Sequence, residues 1–312
     1  MGKIAFLFAG QGAQYPGMGK SLAEVSPRAK ALFELADKIR PGTSAQCFSG
    51  TQEELTETKN TQPCVYAVDL AAAYALEEQG VHADVAAGFS LGEMAALTFA
   101  GAFSDADGFS LVCRRGELMQ QASEKHPGAM AAVLKLDDET VERLCADFPD
   151  VFPVNYNCAG QLVVAGGKEN LIRFCDLAAE AGGRAKMLAV GGGFHSPFME
   201  EASAAFLTEL DRVGVKAPRL PVYCNRAAKP YAEQRETVLA EQMKNPVLWR
   251  KTIETMAEDG VSCFIEVGPG KTLSGLVKRI LPHAQILRVD DAETLRQTVE
   301  TLRESGGLHE NA

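Results

Sequence analysis

"AAGFSLGEMAAL", residues 86–97, sets Ser90 between Gly88 and Gly92, behind a short apolar run and ahead of a helix-forming one. G-x-S-x-G at a strand-to-helix turn is the nucleophile-elbow pattern. Its glycines leave room for a strained turn that lifts the hydroxyl out, and the helix N-terminus favours developing negative charge. The same residues also suit a serine N-cap beside two turn glycines. The rest of the chain has to separate these readings.

Outward from the elbow, strand-like and helix-like runs alternate. Residues 84–88 read as a brief strand and 91–100 as a helix. Upstream, Lys3–Phe8 is a β run that stops at a glycine-rich loop, and 61–80 reads as a helix with Pro63 in its first turn. Downstream, Ser104 with Asp107 looks like a helix start, the helix running to about Ala122. Later runs at 220–224, 262–267 and 285–289 look like strands, the pattern of a largely parallel sheet covered by helices. The middle differs: strand 129–136, helix 138–147, strands 151–157 and 161–167, helix 168–182 and strand 184–190. That order, βαββαβ, is the ferredoxin-like unit. Pro127–Gly128 and Gly191–Gly193 flank it as natural exits. The expected architecture is an α/β domain of residues 1–127 and 191–312, with an α+β subdomain inserted at 128–190.

A chain of 312 residues accommodates such an insertion. Its net charge of −10 argues against nucleic acid or an anionic membrane as main partner. No 18-residue apolar run spans a bilayer, and the apolar start of the chain reads as a first strand rather than a signal peptide. The eight cysteines are widely spaced without a CxxC pair. They suit a reducing cytoplasm better than a disulfide framework or a metal site.

A serine nucleophile needs a base. Of five histidines, His82 falls in a turn before the elbow strand, His126 in a polar junction, His283 near a helix end and His309 in a polar tail. His195 stands apart in "VGGGFHSPFME", after three glycines that let backbone come close. The loop "FAGQGAQYPGMG", residues 8–19, is not a dinucleotide fingerprint, because the third glycine position falls on Tyr15. It can present a backbone N–H to an oxyanion. "VGPGKTL", residues 267–273, ends like a phosphate loop, but Ile265 stands where the first glycine belongs.

With these parts assembled, the chain resembles the malonyl-CoA:acyl carrier protein transacylases over nearly its full length. The shared-looking stretches run in order: AGQGAQYPGMG, TQPCVYAVDL, GFSLGEMAAL, RRGELMQQA, GAMAAVL, VNYNCAGQLVVAGG, FHSPFM, NPVLW and EVGPGKTLSGLVKR. The resemblance implies an α/β-hydrolase-like domain with a ferredoxin-like insert. It implies Ser90 as nucleophile, His195 as base, and the backbone N–H groups of Gln11 and Leu91 as oxyanion hole. It implies Arg115 as holder of the malonyl carboxylate, with Asn157 supporting the site. The family orients its histidine with a backbone carbonyl, here matched to Gln242. Phe194 before the histidine matches malonyl-using relatives. Phe89 departs from the histidine common before the nucleophile, so chemistry should survive with altered packing or substrate fit.

The implied reaction moves a malonyl group from malonyl-CoA to the phosphopantetheine thiol of acyl carrier protein through a malonyl-serine, supplying fatty acid biosynthesis. No bound cofactor and no metal are implied. Lys271, Lys278 and Arg279 recur at helical spacing as a possible docking face for an acidic carrier, or as a solvated helix flank. A monomer in the cytoplasm is expected. Two other readings share the motifs: an acyltransferase of a polyketide or malonate pathway, and a serine thioesterase or esterase that gives the acyl group to water.

Overall fold

The computed structural model describes residues 2–305; His309 and the rest of residues 306–312 lie outside them. Among the described residues nine strands form two sheets: β1 (Lys3–Phe8), β2 (Val85–Gly88), β3 (Ala129–Leu134), β4 (Val151–Cys158), β5 (Gln161–Gly166), β6 (Arg184–Met187), β7 (Val222–Tyr223), β8 (Val261–Val267) and β9 (Gln285–Val289).

The larger sheet has the order β7-β2-β1-β8-β9, and every pairing is parallel. β1 is its centre, which explains why KIAFLF lacks alternation: both faces are covered, and from Ile4 onward every residue is buried. Helices Thr58–Glu78 and Gly92–Phe99 pack against this sheet with the larger apolar core, including Phe6, Phe8 and Phe99. A second core on the opposite face gathers Leu7, Phe264, Trp249 and Val277.

The smaller sheet, β4-β5-β3-β6, is antiparallel throughout and carries helices Asp138–Cys145 and Lys168–Glu180. It has its own core around Val133, Leu162, Leu171 and Phe174. The strand order is that of a ferredoxin-like unit. The 245–249 stretch joins the two sheets: Val247 N–H donates to the Val154 carbonyl at 2.8 Å, and Tyr156 N–H to the Val247 carbonyl at 2.9 Å.

Several boundaries differ from the sequence reading. The first long helix starts at Thr58, so Pro63 is inside it rather than in its first turn. Having no N–H, Pro63 leaves the Lys59 carbonyl without its helical donor. The 220–224 strand contracts to Val222–Tyr223, because the Cys224 N–H turns away to donate to the Lys229 carbonyl at 2.9 Å. The helix begun by Ser104 runs to Lys125, and β6 ends at Met187.

In open α/β sheets, loops at the carboxyl ends of the strands build the ligand crevice. Here these are the 9–19 loop after β1, the elbow after β2, Asn225 after β7 and the 268–271 loop after β8.

Candidate active site

The elbow forms because glycine is required on both sides of Ser90. A Cβ on Gly88 would lie 1.9 Å from the Gly92 carbonyl carbon, and one on Gly92 would lie 2.2 Å from the Phe8 oxygen. Between them Ser90 adopts φ 54°, a left-handed conformation costing on the order of 1–3 kcal/mol for a residue with a side chain. Asn225 braces the turn from both ends. Its Oδ1 accepts the Ser90 N–H at 2.7 Å, and its Nδ2 donates to the Gly88 carbonyl at 2.6 Å.

His195 is the second strained residue, at φ 60°, with its N–H donated to the Met243 carbonyl at 3.0 Å. Its Nδ1 lies 2.8 Å from the Gln242 main-chain oxygen and its Nε2 lies 2.7 Å from Ser90 Oγ. A carbonyl oxygen only accepts, so Nδ1 carries the proton of the neutral ring. Nε2 is then the lone pair that receives the serine hydroxyl. Burial and the charge of Arg115 push the imidazole down to about 4, which keeps it neutral and able to take a proton near pH 7.

Arg115 is wholly buried on helix Asp105–Lys125. Nη1 donates to Gln62 Oε1 and Nη2 to Gln242 Oε1, both at 2.8 Å. Nε has no partner, and no carboxylate pairs with the guanidinium among the described residues. Burial pulls its pKa down to about 10, so the cation persists at neutral pH. Its neighbour Arg114 faces outward to Glu117 and Glu209.

The other expected residues fall around this cluster. The N–H groups of Gln11 and Leu91 donate to no acceptor among the described residues. Their loops are forced together, since a Cβ on Gly10 would meet the Phe89 oxygen at 2.6 Å. Gln11 and Asn157 line a cleft of about 420 Å³ running between the two sheets. Asn157 and its strand neighbour Asn155 are both buried there, each with an unpartnered Oδ1. Phe89 also lines the cleft and packs edge-on against Trp249, with centroids 5.3 Å apart. Phe194 is buried in the main core and is not part of the cleft wall.

Lys271 is the N-cap of helix Thr272–Ile280 rather than a residue within it. Arg279 donates to Gln161 Oε1, and Lys278 to the Pro282 carbonyl at 2.8 Å. His126 caps a helix end near Glu201.

Sequence reasoning missed Gln62, Glu93, Asn225 and Tyr231. The one available signal was Glu93, a carboxylate in the apolar run GEMAAL; the structure buries it completely. Among the described residues, no cluster of His, Cys, Asp or Glu is built to hold a metal, and no helix is long and apolar enough to cross a membrane.

Comparison with known proteins places this architecture. A family model for an acyl transferase domain matches residues 5–303. The malonyl CoA-acyl carrier protein transacylase of Bacillus subtilis is 40% identical, the alignment covering 97% of this chain and 98% of that one. The crystal structure of the Clostridium perfringens malonyl CoA-acyl carrier protein transacylase superposes with a TM-score of 0.94 at 36% identity, covering 99% of this chain and 100% of that one. A malonyl-transacylase solved in complex with its type II PKS acyl-carrier protein gives 0.92 at 36% identity, covering 96% and 99%.

Proposed function

The chain belongs to the acyl transferase family, among the malonyl CoA-acyl carrier protein transacylases, and from that premise we propose how its residues carry a malonyl group from malonyl-CoA to an acyl carrier protein. The supporting observation is the Ser90–His195–Gln242 chain of hydrogen bonds, tied through Gln242 Oε1 to an Arg115 that meets only amides.

In the first half-reaction Ser90 Oγ attacks the thioester carbonyl while its proton passes to His195 Nε2. The Gln11 and Leu91 N–H groups receive the oxyanion; losing one such donor typically costs about 3–4 kcal/mol of transition-state stabilisation. The C–S bond breaks, and the CoA thiolate takes the proton back from the imidazolium. In the second half-reaction the carrier's phosphopantetheine thiol gives its proton to His195 and attacks the malonyl-serine ester. Ser90 leaves and recovers that proton. A carbonyl partner stabilises imidazolium less than a carboxylate would, and a thiolate leaving group needs no stronger base.

Arg115 holds the malonyl carboxylate. Its planar fork offers charge-assisted hydrogen bonds that an acetyl group cannot return. Asn157 faces the pantetheine arm in the cleft, and Phe194 supports the histidine loop from the core. Lys271, Lys278 and Arg279 form the docking face for an acidic carrier; Lys278 and Arg279 bond only neutral acceptors, so their charge remains available. The working unit is a monomer, since one chain supplies every site residue. The free state of all eight cysteines supports a reducing compartment, the cytoplasm, with fatty acid biosynthesis as the consuming pathway.

The test is intact-protein mass after mixing with malonyl-CoA or acetyl-CoA, with Ser90→Ala as control. A malonyl adduct that requires Ser90, exceeds acetyl loading and discharges onto a carrier thiol is the expected result. CoA release without transfer would replace this reading with hydrolysis. For docking, charge reversal at Lys271 and Lys278 should slow discharge onto the carrier and spare discharge onto free pantetheine.

A further inference from the structure

We propose that Glu93 is a positioning residue of this site: its carboxylate fixes which way the Gln242 amide faces, and through that residue aligns both Arg115 and His195. The inference rests on the transferase reading above and concerns a residue that takes no part in the bond-making steps.

Gln242 touches Ser90, His195 and Arg115. Its main-chain oxygen holds His195 Nδ1, and its Oε1 accepts from Arg115 Nη2. Its Nε2 donates to the Ser90 carbonyl at 2.7 Å, and to Glu93 Oε2 and Asn225 Oδ1, both at 3.2 Å. An amide can turn end for end. Here the turned form would aim Oε1 at three acceptors and NH₂ at a guanidinium, so every contact would become repulsive. Two of those acceptors, the Ser90 carbonyl and Asn225 Oδ1, are neutral. Glu93 supplies the charge that makes the orientation one-sided.

The contacts of Glu93 favour its anion against the cost of burial. It is fully buried in the first turn of helix Gly92–Phe99, where the helix dipole favours negative charge. The Asn225 N–H donates to Oε2 at 3.0 Å and the Tyr231 hydroxyl donates to Oε1. Every contact made to the carboxyl group is a donor, as an acceptor-only carboxylate requires. The same Asn225 braces Ser90, so the elbow and the Gln242 amide share one anchor. Glu93 is also the carboxylate whose field reaches Arg115, its countercharge at one remove through the Gln242 amide dipole.

Titration separates this role from simple packing. Burial pushes Glu93 up to about 7, against the lowering effect of Tyr231, Asn225, Gln242 and Arg115. The other titratable groups facing it are Tyr231, Cys224 and Arg115. Burial moves Cys224 up to about 11 and Tyr231 well above its usual range, while Arg115 stays a cation. His195 titrates near 4. Glu93 is therefore the group of this cluster that changes charge across roughly pH 5 to 8.

The experiment is the rate of Ser90 loading by malonyl-CoA across that pH range, for the native chain and Glu93→Gln. The native rate should rise through about pH 7 as Glu93 ionises. Glu93→Gln should lose that limb and run about tenfold slower at pH 8. The effect should fall on kcat more than on KM, since Gln62 still holds Arg115. Tyr231→Phe removes a donor to the carboxylate, so its limb should move to higher pH; this arm decides alone if Glu93→Gln does not fold. A limb that persists in Glu93→Gln, a pH 8 rate equal to the native one, or an unmoved limb in Tyr231→Phe would overturn the proposal. A native chain that takes no malonyl group at any pH would instead overturn the transferase reading, a separable outcome.

Discussion

Replacing Arg115 with alanine should convert an enzyme selective for malonyl into a slower one that barely distinguishes malonyl from acetyl. The guanidinium is buried, bonded only to the amide oxygens of Gln62 and Gln242, and keeps Nε unpartnered. Its charge is therefore available to an incoming carboxylate. Truncating one partner of such a buried charged pair costs roughly 2–5 kcal/mol, or about 30- to several-thousand-fold in kcat/KM for malonyl-CoA. A second, smaller loss is common to both substrates, because Gln242 Oε1 loses its donor; one hydrogen bond is worth about 1 kcal/mol, so acetyl loading should fall by less than about tenfold. The assay is the rate of acyl-serine formation with each thioester, followed by quenched intact mass. The ratio of the two losses carries the information. Arg115→Lys keeps the charge without the fork, and its malonyl rate should lie between native and alanine. Equal losses for malonyl and acetyl in Arg115→Ala would refute the carboxylate role and leave Arg115 as a structural donor to Gln242.

Three further outcomes are expected. Gly88→Ala should destabilise the fold by at least about 3 kcal/mol in urea unfolding, because its Cβ would lie 1.9 Å from the Gly92 carbonyl carbon; native stability would refute the close packing of the elbow. Phe89→His should load malonyl within about threefold of the native rate while losing about 0.5–1.5 kcal/mol of stability from the Trp249 edge contact; a hundredfold loss of loading would make Phe89 part of the chemistry. Asp69 is fully buried with both oxygens unpartnered, and burial holds its carboxyl well above the usual range. Its protonated form is thus favoured by folding, so its contribution to stability is complete below the unfolded value near 4 and declines as pH rises. Asp69→Asn should accordingly raise the unfolding free energy at pH 8 by an amount on the order of 1–3 kcal/mol, seen as a higher Tm, and change little at pH 4. A gain confined to acid would reverse the assigned sign.

How much could be read before the fold was known follows from where each signal resides. The unbroken apolar run IAFLF of residues 4–8 and the elbow Gly88–Gly92 are local, since a doubly covered strand and a tight turn impose themselves on neighbouring residues. The βαββαβ order of 129–187 was legible for the same reason, whereas strand ends such as 220–224 were misjudged because a distant partner, the Lys229 carbonyl, captures the Cys224 N–H. Ser90 and His195 carry functional groups that announce themselves, and the sequence alone fixed their identity as candidates. Their 2.7 Å contact spans 105 residues and exists only once β2 and the 191–199 loop converge. Gln242 shows the limit most clearly. The histidine's partner is a main-chain carbonyl, a group every residue owns, so composition and spacing leave it invisible and a family resemblance was needed to point to it. The resemblance pointed to Arg115, but its isolation from any carboxylate, and Glu93 as a functional residue at all, emerged only through burial, because a charge reveals its purpose only when tertiary packing removes it from water and limits its partners.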